Sequence, residues 1–139
     1  MKKGDKLPNL KMRSHLGTWI HTLSLIGESN LLFINLELFP LSTIKLLVDN
    51  FDFLLTSNTE VYLFNQKSVE NNLELQRSEG LPFTIIADEL KELTRVLKSK
   101  SSLFKSNPKG AFFFNSTGHL IESYSLLEFK VKDVLQLPH

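Results

Sequence analysis

Few residues in this chain can do chemistry, and the first notable feature is an absence. The 139 residues include no cysteine, which removes disulfides, thiolate metal sites, cysteine nucleophiles and dithiol exchange together. Four histidines stand at 15, 21, 119 and 139. No two have the i, i+4 spacing that would place both imidazoles on one helix face around a metal. No metal and no cofactor is therefore expected. Among hydroxyls the candidate is Ser42, in the run Phe39-Pro40-Leu41-Ser42-Thr43. A serine nucleophile needs a base in hydrogen-bond reach and a third group to orient that base. No histidine falls in a segment expected to approach this loop, so the ordinary reading of Ser42 is a hydroxyl capping the helix that follows.

Charge excludes further classes. Sixteen Lys and Arg against fifteen Asp and Glu leave a formal charge of +1, too little to attract nucleic acid or an anionic membrane. The longest apolar runs, Leu23 to Ile26 and Leu31 to Ile34, fall far short of the roughly 20 residues that cross a bilayer. A soluble cytoplasmic protein is expected, with an extracytoplasmic domain stripped of its signal or anchor as the alternative. The length suits one domain, residues 1–139, with a core that needs no disulfide or metal.

The elements that must position the Ser42 loop follow from periodicity. Lys11 to Met12 and Thr18 to Ile20 flank a turn at His15-Leu16-Gly17, which predicts a small N-terminal hairpin. The apolar run 31–36, bounded by polar residues and Pro40, predicts a strand buried on both faces at the centre of the sheet. After Pro40 the period lengthens, and Ile44, Leu47, Val48, Phe51, Leu54 and Leu55 mark one amphipathic helix. Thr59 to Asn65 returns to strand character, and a strand, helix, strand succession implies a right-handed crossover and a parallel pair. Ser68 to Ser78 reads as an exposed helix closed by Gly80, Leu81 to Ala87 as a short strand, and Glu89 to Lys98 as a helix capped by Asp88. Ala111 to Asn115 and His119 to Tyr124, joined by Ser116-Thr117-Gly118, should pair antiparallel, with a last helix over Leu127 to Leu137. Lys98 to Asn107 reads as a Ser/Lys-rich solvated loop, and Trp19 and Phe112 to Phe114 as core aromatics. The fold class is α/β, with a mixed central sheet flanked by helices on both faces and an N-terminal β-hairpin.

Four pieces in this order resemble a known family. Residues 31–46, LLFINLELFPLSTIKL, resemble the strand-to-helix junction of peroxiredoxins and related redoxins of the thioredoxin-like superfamily, where an apolar strand ends in a Pro-containing loop carrying the reactive Cys, then Thr. Gly4-Asp5-Lys6-Leu7-Pro8 resembles the redoxin opening, Gly80-Leu81-Pro82-Phe83 the segment before the short strand, and Gly118 the turn of the final hairpin. The resemblance spans nearly the whole chain and implies a thioredoxin-like fold.

It also implies what is lost. In peroxiredoxins a thiolate attacks the peroxide oxygen, held by hydrogen bonds from a preceding Thr and a distant Arg. Here Ser42 stands at the Cys position, and its hydroxyl cannot cycle through a sulfenic acid. Phe39 stands at the Thr position, Asn35 where a Pro is usual, and Lys109-Gly110 where the Arg is expected. Phe39-Pro40-Leu41-Ser42 also aligns with a Cys-x-x-Cys motif, and then lacks both thiols. Natural loss and a single Cys-to-Ser replacement both explain Ser42; the missing Thr and Arg favour natural loss from a peroxidase, and leave a modified dithiol redoxin open. Pro108 is either the cis-proline such folds place beside the active loop or a trans loop proline. The expected function is a redox-inactive pseudo-redoxin that binds a protein or an extended peptide through Phe39, Pro40, Leu41, Ser42, Thr43, Pro108 and Lys109. The alternative is a thiol-disulfide oxidoreductase or peroxiredoxin-type antioxidant protein with its cysteine substituted. Neither nucleic acid nor membrane is an expected partner, and a homodimer is compatible with the sequence.

Overall fold

A computed structural model describes residues 1–98 and 107–131. Strands β1 (Lys11–Arg13) and β2 (Trp19–His21) form the expected hairpin, followed by the short helix α1 (Thr22–Leu25). Strand β3 (Asn30–Asn35) leads into α2 (Leu41–Asp49) and α3 (Phe51–Thr56), then β4 (Thr59–Asn65), α4 (Val69–Glu79), β5 (Thr84–Ala87) and α5 (Glu92–Leu97). Strands β6 (Lys109–Phe114) and β7 (Leu120–Ser125) close the described chain. The main sheet runs β5-β4-β3-β6-β7, parallel among the first three strands and antiparallel across β3, β6 and β7.

Every residue of β3 is buried, as a strand covered on both faces requires. Its alternation divides the core. Leu32 and Ile34 join Phe113 with Ile44, Leu47 and Leu54 from α2 and α3, while Leu31 and Phe33 join Phe112 and Phe114 with Leu93 and Leu97 from α5 and Met12 from the hairpin. Phe33 stacks on Tyr62 at 5.5 Å and meets Phe114 edge-on at 5.8 Å, geometries that aromatic quadrupoles favour.

Several sequence expectations need correction. The helix expected over Ile44 to Leu55 begins earlier, at Leu41, and breaks at Asn50 (φ −108°, ψ 24°), whose side-chain amide donates to the Leu46 carbonyl at 2.7 Å. An Asn side chain that competes for helix carbonyls interrupts the ladder even where the apolar period continues. Strand β5 starts at Thr84, not Leu81. The Leu81 N–H and carbonyl both bond Gln76, in the helix end that Gly80 closes at φ 61°, and Pro82 has no N–H to offer a ladder. Asp88 does not sit directly before its helix: a turn with Lys91 at φ 59° intervenes. Its carboxylate still reaches α5, accepting from the Leu93 N–H, the Thr94 N–H and the Thr94 hydroxyl at 3.0, 2.9 and 2.6 Å. Phe112 to Phe114 are core residues as expected, but Trp19 is 54% exposed. The helix expected over Leu127 to Leu137 and the loop at Lys98 to Asn107 fall largely outside the described residues. Among the described residues no helix is long and apolar enough to cross a membrane.

The hairpin is fastened to the sheet edge. Ser14 bridges Ile86, and buried His15 accepts at Nδ1 from the Ile85 N–H at 3.1 Å, so the outer edge of β5 is covered where it would otherwise invite pairing. Burial holds the His15 pKa below its ordinary value near 6.5. The unfolded chain therefore takes up this proton first. The stabilisation is complete above about pH 6.5 and is lost as pH falls toward the lowered value. Thermal unfolding from pH 7 to 5 should show a decline in Tm that His15→Asn, which keeps an acceptor but does not titrate, flattens. An equal slope in both proteins would refute this role.

Candidate functional site

The junction after β3 is built by Asn35. Its side-chain oxygen accepts from the Glu37 N–H at 2.9 Å, and its carbonyl accepts from Leu38 and Phe39 N–H at 3.1 and 3.0 Å. This tight turn directs the Phe39 ring back into the core. Pro40 is extended (ψ 158°) and serves as the residue before the helix; its carbonyl accepts from Thr43 and Ile44 N–H at 3.0 and 3.4 Å. Ser42 is thus the second residue of α2. It is exposed, and its hydroxyl makes no hydrogen bond among the described residues. The capping expectation for Ser42 is corrected, because a capping side chain reaches forward from the position before the helix.

Phe39 is 2% exposed and meets Phe129 edge-on at 5.3 Å; Phe129 in turn meets Tyr124 at 5.7 Å. Gly110, at the start of β6, allows this packing: a Cβ there would lie 2.9 Å from Phe39 Cε1 and 3.1 Å from Leu38 Cβ. The Phe39 loop and the Lys109-Gly110 segment therefore lie in direct contact. Lys109 pairs with Ser125 in the β6–β7 register, which brings its ammonium onto Glu128 in an ion pair. Glu128 also accepts from the Ser125 N–H at 2.9 Å, and these donors, Lys109 foremost, hold its carboxyl down at about 2. The Lys109 charge is thus already engaged. Pro108 is exposed, and no peptide bond among the described residues is cis.

A cavity of about 190 Å³ opens beside the junction, between the carboxyl ends of β3 and β4 and helix α4. Phe39, Pro40 and Leu41 line it with Asn65, Lys67 and Leu75, whereas Ser42, Thr43, Pro108 and Lys109 do not. Asn65 repeats the Asn35 device, its side-chain oxygen accepting from the Lys67 N–H at 3.2 Å while its amide donates to buried Asn72 at 2.8 Å. Sequence reasoning missed Asn65, Ser125 and Glu128, and it named Gly110 without its packing role against Phe39. The only local signal was an Asn ending each apolar strand.

The chain can be superposed on solved structures. The chain superposes on peroxidoxin BcpB from Mycobacterium tuberculosis with a TM-score of 0.76, covering 97% of this chain and 94% of that one at 15% identity. The fold is that of the peroxiredoxins. The mitochondrial 2-Cys peroxiredoxin of Plasmodium falciparum gives 0.74 at 15% identity over 97% and 90% of the two chains. A Cys-to-Ser mutant of PrxQ from Xylella fastidiosa gives 0.71 at 17% over 97% and 93%. No family model and no curated protein matches the sequence. The chain therefore combines a peroxiredoxin fold with a complete lack of cysteine, and Ser42 occupies the first turn of the helix that follows the central strand.

Proposed function

We propose that this protein is a redox-inactive domain of peroxiredoxin fold that binds a partner protein or an extended peptide through the Phe39 to Thr43 loop and the neighbouring Pro108-Lys109 segment. The observation that carries the reading is the burial of Phe39 against Gly110 and Phe129. It makes the loop a packed, rigid platform with no group capable of thiol chemistry, while Pro40, Ser42 and Pro108 stay exposed. Extended peptides are held by main-chain hydrogen bonds where backbone groups are exposed, with neighbouring side chains giving specificity.

The test is a peptide selected by display against the full chain, with its footprint read from backbone amide shifts. Shifts should centre on residues 41–43 and 109–110, and Ser42→Arg, a change at an exposed position, should weaken binding at least about tenfold without altering the fold. A footprint elsewhere, or unchanged affinity in Ser42→Arg, would contradict the proposal. The second reading, an oxidoreductase of peroxiredoxin or thiol-disulfide type with its cysteine replaced at Ser42, draws support from the shared fold. It differs in requiring that Ser42→Cys restore catalysis.

A further inference from the structure

A second cavity lies away from the Ser42 loop. It encloses about 350 Å³ where β1 and the end of β5 diverge beyond the Ser14–Ile86 bridge, a volume within the usual range for small-molecule sites. Its floor is apolar, with Met12, Ile86 and Leu93 all buried.

The two walls carry opposite charge. On the hairpin side, Arg13 and Trp19 are directly opposed in the β1–β2 register, and Lys11 stands two residues along the same face. The Lys11 ammonium lies 4.4 Å and the Arg13 guanidinium 5.2 Å from the centroid of the half-exposed Trp19 ring, and Arg13 Nε also donates to the Gly17 carbonyl at 3.2 Å, which leaves its terminal NH2 groups for a ligand. On the other side stand Glu89 and Glu92, in the segment that the Asp88 carboxylate fastens to Leu93 and Thr94. Among the described residues none of Lys11, Arg13, Glu89 and Glu92 forms an ion pair, although all four line one cavity. The fastened walls hold opposite charges apart across an apolar floor.

We propose that this cleft binds a small zwitterion with an apolar body, of dipeptide size. The ligand carboxylate would meet Lys11 and Arg13, its ammonium Glu89 and Glu92, and its side chains the Met12–Leu93 floor. A simple anion is disfavoured by the glutamates and a simple cation by the lysine and arginine, whereas a dipolar ligand satisfies both walls. Because the walls are anchored by His15 and Asp88, little ordering opposes binding.

Trp19 is the chain's one tryptophan and reports directly on occupancy. The full chain is titrated with leucyl-leucine, N-acetyl-leucyl-leucine and leucyl-leucinamide, reading Trp19 fluorescence and the backbone amide shifts of residues 86–93. Leucyl-leucine should saturate below ~10 mM, and each blocked form should bind at least about tenfold more weakly, since each loses a charged hydrogen-bonding end. Lys11→Gln with Arg13→Gln, and separately Glu89→Gln with Glu92→Gln, should weaken leucyl-leucine by a similar factor while the backbone amide spectrum stays that of the folded protein. The proposal is overturned if neither readout saturates, if the blocked forms bind as tightly, or if only one pair of substitutions has an effect.

Discussion

Phe39→Ala should lower the unfolding free energy by about 3–5 kcal/mol, the range for deleting a fully buried aromatic. The ring is 2% exposed and anchors the Phe39–Phe129–Tyr124 chain of edge-on contacts, so its removal leaves a cavity that β6 cannot collapse to fill. Gly110→Ala should cost about 1–3 kcal/mol by overpacking, because its Cβ would press within 2.9 Å of Phe39 Cε1 and 3.1 Å of Phe39 Cδ1. The two effects must couple. Once Phe39 is truncated, the ring atoms that the added methyl would strike are gone, leaving the 3.1 Å approach to Leu38 Cβ as the remaining strain. Denaturant unfolding of both single variants and the double variant should give a double variant more stable than additivity allows, by about 0.5–3 kcal/mol. Strict additivity would mean that Phe39 and Gly110 do not share one packing arrangement.

This coupling also marks the limit of what the sequence could say. Strand β4 was legible to the residue, because Thr59 to Asn65 is β-branched and aromatic and is bounded by Ser57-Asn58 and Ser68. The break at Asn50 was not, since Phe51, Leu54 and Leu55 carry the helical period straight through it and only a local amide competes. Asp88 was recognised as a cap, but its offset from the helix depends on Lys91 adopting φ 59°, which no residue type there announces. Trp19 was misplaced although a signal existed: Lys11, Arg13, Trp19 and His21 share one hairpin face, while Met12 and Ile20 share the other. At the Ser42 loop the residue identities were plain. What they do was not, because the inward turn of Phe39, its contact with Gly110 and the capture of Lys109 by Glu128 come from strand register and tertiary packing.

The second large effect concerns chemistry. Ser42→Cys places a thiol in the first turn of α2, where the helix dipole alone favours a thiolate by about 0.3–1 kcal/mol, well under what a strongly acidified cysteine needs. The two side-chain donors that the peroxiredoxin resemblance implies, a hydroxyl at 39 and an arginine at 109–110, are not at those positions. Phe39 offers a buried ring instead of a hydroxyl, and Lys109 is held by Glu128. Removing one preorganised donor from such a site is worth about 10²–10³ in rate, and here both are missing. Glu128→Gln added to Ser42→Cys frees the Lys109 charge without supplying the missing hydroxyl, so it should not rescue turnover.

The direct measurement is the second-order rate of hydrogen peroxide reduction by the Ser42→Cys thiol, with its titration followed in the same preparation. The packed-site reading predicts a thiol that titrates near the ordinary ~8.5 and reacts within about tenfold of free cysteine. A rate about a hundredfold or more above free cysteine, with sustained turnover, would contradict it and show that the site can support peroxide reduction.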